Sequence, residues 1–158
     1  MLNKIRKNLK DKAGFTLVEL IVVLVILAIL AAMLVPALTG YIDKANKEKV
    51  TAECRQVVMA AQTEASTLYG KADGGKIPVA TNNTKVADNV KTLSETKGKF
   101  SVIILDDGTI KTVVYENSGW QITYDGKTGT YNEPKDKFDT IGETNIFKVE
   151  TETQSTQE

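Results

Sequence analysis

The chain has 158 residues, with 20 basic and 20 acidic side chains, one cysteine and no histidine. The missing histidine removes the usual general base and the commonest metal ligand, and one thiol, Cys54, cannot close an intrachain disulfide. Balanced charge gives no stripe of Lys and Arg of the kind that nucleic-acid binding needs, so there is no clear nucleic-acid site.

The first fourteen residues hold Lys4, Arg6, Lys7, Lys10 and Lys12 against one acid, Asp11. An apolar run follows, and from Leu20 to Leu38 no side chain carries a charge. As a helix, Phe15 to Leu38 would be about 36 Å long at ~1.5 Å per residue, enough to cross a hydrocarbon layer of about 30 Å. The basic flank keeps the N-terminus in the cytoplasm, so the rest of the chain faces outward. Glu19 stands at the edge of this run. A carboxylate there is costly in lipid, which makes it a candidate functional residue in need of a partner.

The string Lys12-Ala13-Gly14-Phe15-Thr16-Leu17-Val18-Glu19-Leu20 resembles the class III signal of type IV prepilins and pseudopilins. The resemblance is strong over roughly residues 12 to 45 and only architectural beyond. It implies cleavage by a prepilin peptidase after Gly14 and N-methylation of Phe15. It further implies that Glu19, with Thr16 beside it, places subunits in a helical filament. Pro36 falls where many members of that family carry a kinking proline. A leader of fourteen residues is at the longer end for members whose mature chain begins with phenylalanine, so the subclass stays open. An ordinary secretory signal fits less well, because the apolar run is too long and Val35-Pro36-Ala37 is a poor cut site. A plain membrane anchor explains the span and flank but leaves Gly14-Phe15 and Glu19 without a role. Removing the leader takes five basic residues and one acid, which leaves a net charge of −4 on the remainder.

Proline within a helix removes a hydrogen bond and kinks it, although membrane spans tolerate this. With Gly40 as a second weak point, the segment from Pro36 to Gly40 is expected to be bent or locally melted. Beyond it the chain is rich in helix formers, and Val50, Cys54, Val57, Ala61, Ala65 and Leu68 form one apolar stripe of period near 3.6. Lys44, Lys47, Glu48, Arg55 and Gln62 take the opposite side. Gly70 is a C-terminal stop, giving one helix from roughly Phe15 to Tyr69. In this pattern Cys54 reads as a small buried hydrophobe.

Lys71 to Lys99 is a connection punctuated by Gly74-Gly75, Pro78 and Asn82-Asn83. Within it, Val86, Val90 and Leu93 at helical spacing after Asn83 or Thr84 predict a short surface helix. Asn82-Asn83-Thr84 also matches a glycosylation acceptor, a weak three-residue signal beside the capping turn. Strands are predicted at Phe100–Leu105, Ile110–Tyr115 and Trp120–Tyr124, with a short fourth near Thr128–Tyr131. Asp106, Asp107 and Asp125 sit in the turns, where Asp and Gly serve backbone geometry; without an Asp-x-Asp-x-Asp loop the turn reading outweighs calcium binding. Asp136, Asp139 and Glu143 form a looser acidic cluster with the same reading. Phe138, Ile141, Ile146 and Phe147 would wrap the sheet, and residues 151–158 form a polar, disordered tail.

The fold expected is α+β: a long N-terminal helix, membrane-spanning then amphipathic, packed on a small antiparallel β-meander in a ladle like that of pilins. Its parts are a cleaved leader (1–14), a transmembrane and polymerisation helix (15–39), its amphipathic continuation (40–70), a headpiece (71–150) and the tail. The candidate residues are Gly14 and Phe15 for cleavage, Phe15 for methylation, Glu19 and Thr16 for assembly, and Pro36 for a kink. Val50, Cys54, Val57, Ala61 and Leu68 are assigned to helix–sheet packing. No phosphate loop, nucleophile elbow or metal-ligand spacing points to an enzyme, and no cofactor or metal is expected. The resemblance implies a pilus subunit that is cut, methylated and polymerised. The alternatives are a pseudopilin of a type II secretion or DNA-uptake system, and an uncleaved monomeric surface module. The implied partners are prepilin peptidase, the pilus assembly machinery in the cytoplasmic membrane, membrane lipid before assembly and further copies of the chain in the filament.

Overall fold

A computed structural model describes residues 14–80, 83–136, 141–142 and 144–151. The expectations for the leader up to Ala13, for Asn82, for Phe138, Asp139 and Glu143, and for the tail beyond Thr151 lie outside the described residues. Helix α1 spans Leu17–Lys71, a 3-10 turn covers Asp73–Gly75, and helix α2 spans Thr84–Ser94. The strands are β1 (Lys99–Leu105), β2 (Ile110–Asn117), β3 (Trp120–Asp125), β4 (Thr130–Tyr131) and β5 (Ile146–Glu150). The chain divides into two compact units, Met1–Ile42 and Asp43–Glu158.

In the first unit every described side chain is exposed. The helix there is long and apolar enough to cross a membrane by length and composition. Local melting does not occur at Pro36: residues 36–40 are helical, and the Thr39 hydroxyl donates to the Pro36 carbonyl at 2.9 Å. That oxygen is also the helical acceptor of the Gly40 amide, and such hydroxyl back-bonding slightly weakens a helix and favours a bend.

In the second unit α1 packs on the sheet. Val50, Cys54, Val57, Ala60, Ala61 and Ala65 are buried, and three alanines in that row let the strands approach closely. Leu68 differs from the others. It is only partly buried, at the margin of the core. Leu68→Ala is therefore expected to cost about 1–2 kcal/mol in urea unfolding of a fragment beginning near Tyr41, below the ~2–5 kcal/mol of an enclosed leucine. The sheet order is β4-β3-β2-β1-β5. Strands β1 to β4 form the expected antiparallel meander, with Phe100, Val102, Ile104, Val113, Tyr115 and Ile122 facing the core. Of the residues expected only to wrap the sheet, Ile141 is buried outside any strand, whereas Ile146 and Phe147 fall in β5, which lies parallel to β1 and inserts Phe147 and Val149 into the core. Its outer edge is engaged by Ala80, whose amide and carbonyl pair with Val149, and by the Asn83 amide, which donates to the Phe147 carbonyl at 2.8 Å.

Asn83 caps α2 by accepting the Val86 amide at 3.3 Å. The helix buries Val86, Ala87, Val90 and Ser94, whereas Leu93, expected inside, is 54 % exposed. The reversal has a physical reason. The Ser94 hydroxyl is satisfied by the Lys91 carbonyl and by Thr96, so a small polar residue fits beneath the helix end.

A polar latch joins α1 to the sheet. Glu53 Oε2 accepts from the Tyr115 hydroxyl at 2.9 Å and from Asn117 Nδ2 at 2.8 Å, with Lys49 3.9 Å from Oε1. The Tyr115 oxygen in turn accepts the Gly98 amide at 3.0 Å, and Lys91 Nζ donates to the Gly98 carbonyl. Burial, then the bond to Glu53, pushes the Tyr115 hydroxyl up to about 12 from 10.0; burial alone pushes the Cys54 thiol up to about 12 from 9.0. Both groups stay neutral when folded at pH values where the unfolded chain has begun to lose those protons. Their contribution to stability is whole below pH 9.0 and is lost as the pH rises toward about 12. Urea midpoints of the fragment should fall across that window, and Tyr115→Phe should flatten the fall; a flat parent profile would contradict the assignment.

Candidate processing and assembly site

The functional candidates of the first unit cluster at the start of α1. Gly14 has no neighbouring atom within contact of a Cβ placed there, and Phe15 is 83 % exposed. The first helical bond runs from the Leu20 amide to the Thr16 carbonyl at 3.2 Å, which makes Thr16 the N-cap and Glu19 the third helical residue. The two side chains close on each other. The Glu19 amide donates to Thr16 Oγ1 at 3.2 Å, while Glu19 Oε2 accepts the Thr16 amide at 2.9 Å and the Thr16 hydroxyl at 2.8 Å. This is a reciprocal capping box, in which two otherwise orphaned amides at the helix start are satisfied by side chains. Phe15 and Leu20 occupy the flanking positions at which apolar residues staple such a start.

The carboxylate is therefore held and directed. It also lies at the positive end of the helix dipole, where a negative charge is favoured. Among the described residues Oε1 accepts no hydrogen bond, so Glu19 has one oxygen engaged within its own chain and one open to a further donor. Sequence reasoning named both Thr16 and Glu19 but missed that they act on each other. The signal was present in Thr16-x-x-Glu19 ahead of an apolar run.

Of the packing residues, Val50, Cys54, Val57 and Ala61 are buried in the second unit, and Leu68 stands at its margin. Pro36 lies within α1. Among the described residues no group of three or more Asp, Glu, His or Cys is placed to hold a metal ion. The turn acids are occupied otherwise. Asp107 Oδ1 accepts from the Thr109 amide and hydroxyl at 2.8 and 2.7 Å, Asp125 Oδ1 accepts the Lys127 amide at 2.9 Å, and Asp106 pairs with Lys76 at 3.0 Å. The bonds from Thr109, its hydroxyl above all, hold the Asp107 carboxyl below the usual carboxylate range.

Residues 9–35 match the family described as the prokaryotic N-terminal methylation motif, the same stretch that carries the resemblance to the class III signal. No curated protein and no solved structure matches the chain.

Proposed function

We propose that this chain is a structural subunit of a type IV pilus. It is cut between Gly14 and Phe15, methylated on the new Phe15 amine, and polymerised through its apolar helix. The observation that carries this reading is the methylation motif over residues 9–35, set where an open Gly14-Phe15 pair leads into a capped helix whose apolar side chains up to Ile42 are all exposed. Glycine leaves no side chain to obstruct a peptidase and lets the backbone extend into it. The partners are then prepilin peptidase, lipid before assembly, the assembly machinery of the cytoplasmic membrane, and other copies afterwards. Residues 15–39 serve as the membrane and polymerisation segment, and residues 40–150 form the part displayed on the cell surface. Proteins built around this motif are structural, and the Asp107 and Asp125 carboxylates accept amides within their own turns; the proposed role is not enzymatic. Adhesion, motility or aggregation follows from the displayed filament.

A pseudopilin of a secretion or DNA-uptake system shares each step and differs in filament length. An uncleaved anchored monomer shares none of them. Negative-stain imaging of cells producing the chain tests the reading. Long surface filaments that disappear in Gly14→Val, with full-length precursor accumulating in the membrane, are the expected result. Undiminished filaments in Gly14→Val, or membrane protein without filaments in the parent, would overturn it.

A further inference from the structure

On β2, Glu116 follows Tyr115, whose side chain enters the core and bonds to Glu53 of α1. Strand alternation therefore turns Glu116 to the outer face of the sheet, away from α1. It is nonetheless only 8 % exposed, and its Oε2 is enclosed without a hydrogen-bond partner. Lys99, directly across on β1, makes no ion pair with it among the described residues. Buried acceptors in native proteins have donors almost without exception, and a carboxylate is among the costliest groups to leave without one.

The outer face next to Glu116 is hollow. A cavity of about 430 Å³ is walled by Ser101, Gln121 and Thr123 on its polar side and by Val114, Ile141 and Ile146 on its apolar side. Gln121 is the cross-strand neighbour of Glu116 on β3, and Val114 is the next outward residue along β2. The carboxylate thus stands at the Gln121 end of the cavity. These walls decide what fits. A hard metal ion takes about six or more oxygen ligands, whereas half of this lining is apolar. Among the described residues no group of three or more Asp, Glu, His or Cys could hold such an ion. The volume is that of a small-molecule site, ~300–1,000 Å³. An ammonium on an aliphatic stem matches both halves: its N–H donors suit Oε2 and the Ser101 and Thr123 hydroxyls, and its methylenes suit Val114, Ile141 and Ile146.

We infer that this cavity binds a small primary alkylammonium compound, with Glu116 as its counter-ion. The ligand supplies the donor that the enclosed oxygen lacks, and the apolar walls select a carbon chain over a bare cation. The site lies on the side of the sheet opposite α1, and the inference holds whether or not the chain polymerises.

The test titrates n-pentylammonium chloride into the full-length, nitrogen-15-labelled chain in detergent micelles and follows amide resonances. Saturable shifts at Ser101, Thr123 and Gly142, which line the cavity, are expected. Glu116→Gln breaks no printed ion pair or hydrogen bond of its side chain and should weaken the binding about tenfold or more, as should replacing the amine by n-pentanol. Ser101→Leu, which leaves the carboxylate in place and fills the cavity, should abolish the shifts. Shifts that do not saturate, or that are equal in Glu116→Gln, in Ser101→Leu or with n-pentanol, overturn the inference. Saturation by calcium chloride and not by the amine overturns it in favour of a metal site.

Discussion

Glu19→Ala is expected to be cleaved normally and to form few or no filaments, with partial rescue when parent subunits are co-expressed. Two roles meet in this carboxylate, and their magnitudes differ. As one half of the capping box with Thr16 it fixes the helix start, and losing a cap costs about 0.5–2 kcal/mol. That weakens a helix end without preventing assembly. Its charge is the larger matter. Cleavage would place an amine on Phe15, positive below a reference pKa of about 8. Staggered subunits would bring that amine from an incoming copy to the Glu19 of one already in place, where Oε1 is open. A buried carboxylate left unpaired costs several kcal/mol, so the acid favours the one axial register that supplies a cation. Glu19→Gln separates the two roles. Glutamine can still accept the Thr16 amide in a capping box, but it carries no charge. Electron micrographs should show Glu19→Gln failing to assemble much as Glu19→Ala does. Abundant filaments of normal register from Glu19→Gln would reduce the residue to a helix cap and end the pairing hypothesis.

Gly98→Ala should be strongly destabilising in the second unit. A Cβ at this position would press on the Glu116 carbonyl oxygen and on the hydroxyl and ring of Tyr115. The ring has nowhere to go, because Tyr115 is fully buried and its oxygen joins the Gly98 amide to Glu53. Relief requires either lifting β2, whose ladder pairs Glu116 with Lys99 and Gln121, or withdrawing Tyr115 and leaving buried polar groups unpaired. Overpacking a close-packed site and orphaning buried donors together should cost about 3–5 kcal/mol. Gly119→Ala makes a useful comparison, since it introduces no contact and perturbs only a positive-φ turn. Denaturant unfolding of the fragment from Tyr41 measures both. A Gly98→Ala midpoint equal to that of the parent would show that the latch does not hold α1 to the sheet.

Local signals in the chain were readable and non-local ones were not. Val50, Cys54, Val57 and Ala61 announced themselves because a helix face repeats within a few residues. The hairpin between β1 and β2 was marked by Asp106-Asp107-Gly108, where Asp107 bonds within the turn and Asp106 pairs with Lys76. Strand β5 escaped because Ile146–Glu150 is short and its partner β1 lies more than forty residues earlier, joined by a crossover that no local pattern encodes. The face of α2 was misjudged at Leu93 because hydropathy ranks leucine inside and serine outside. In fact the Ser94 hydroxyl finds two partners at the helix end. At the candidate site the residues were legible and their relation was not, because the length of the apolar run drew the reading away from the Thr16-x-x-Glu19 cap in front of it.

The intact mass of subunits sheared from the cell surface tests the central claim most directly. The account predicts a single species beginning at Phe15 and heavier by one methyl group, with the addition mapped to the N-terminal residue by fragmentation. Surface filaments whose subunits retain residues before Phe15, or begin at another position, would contradict it.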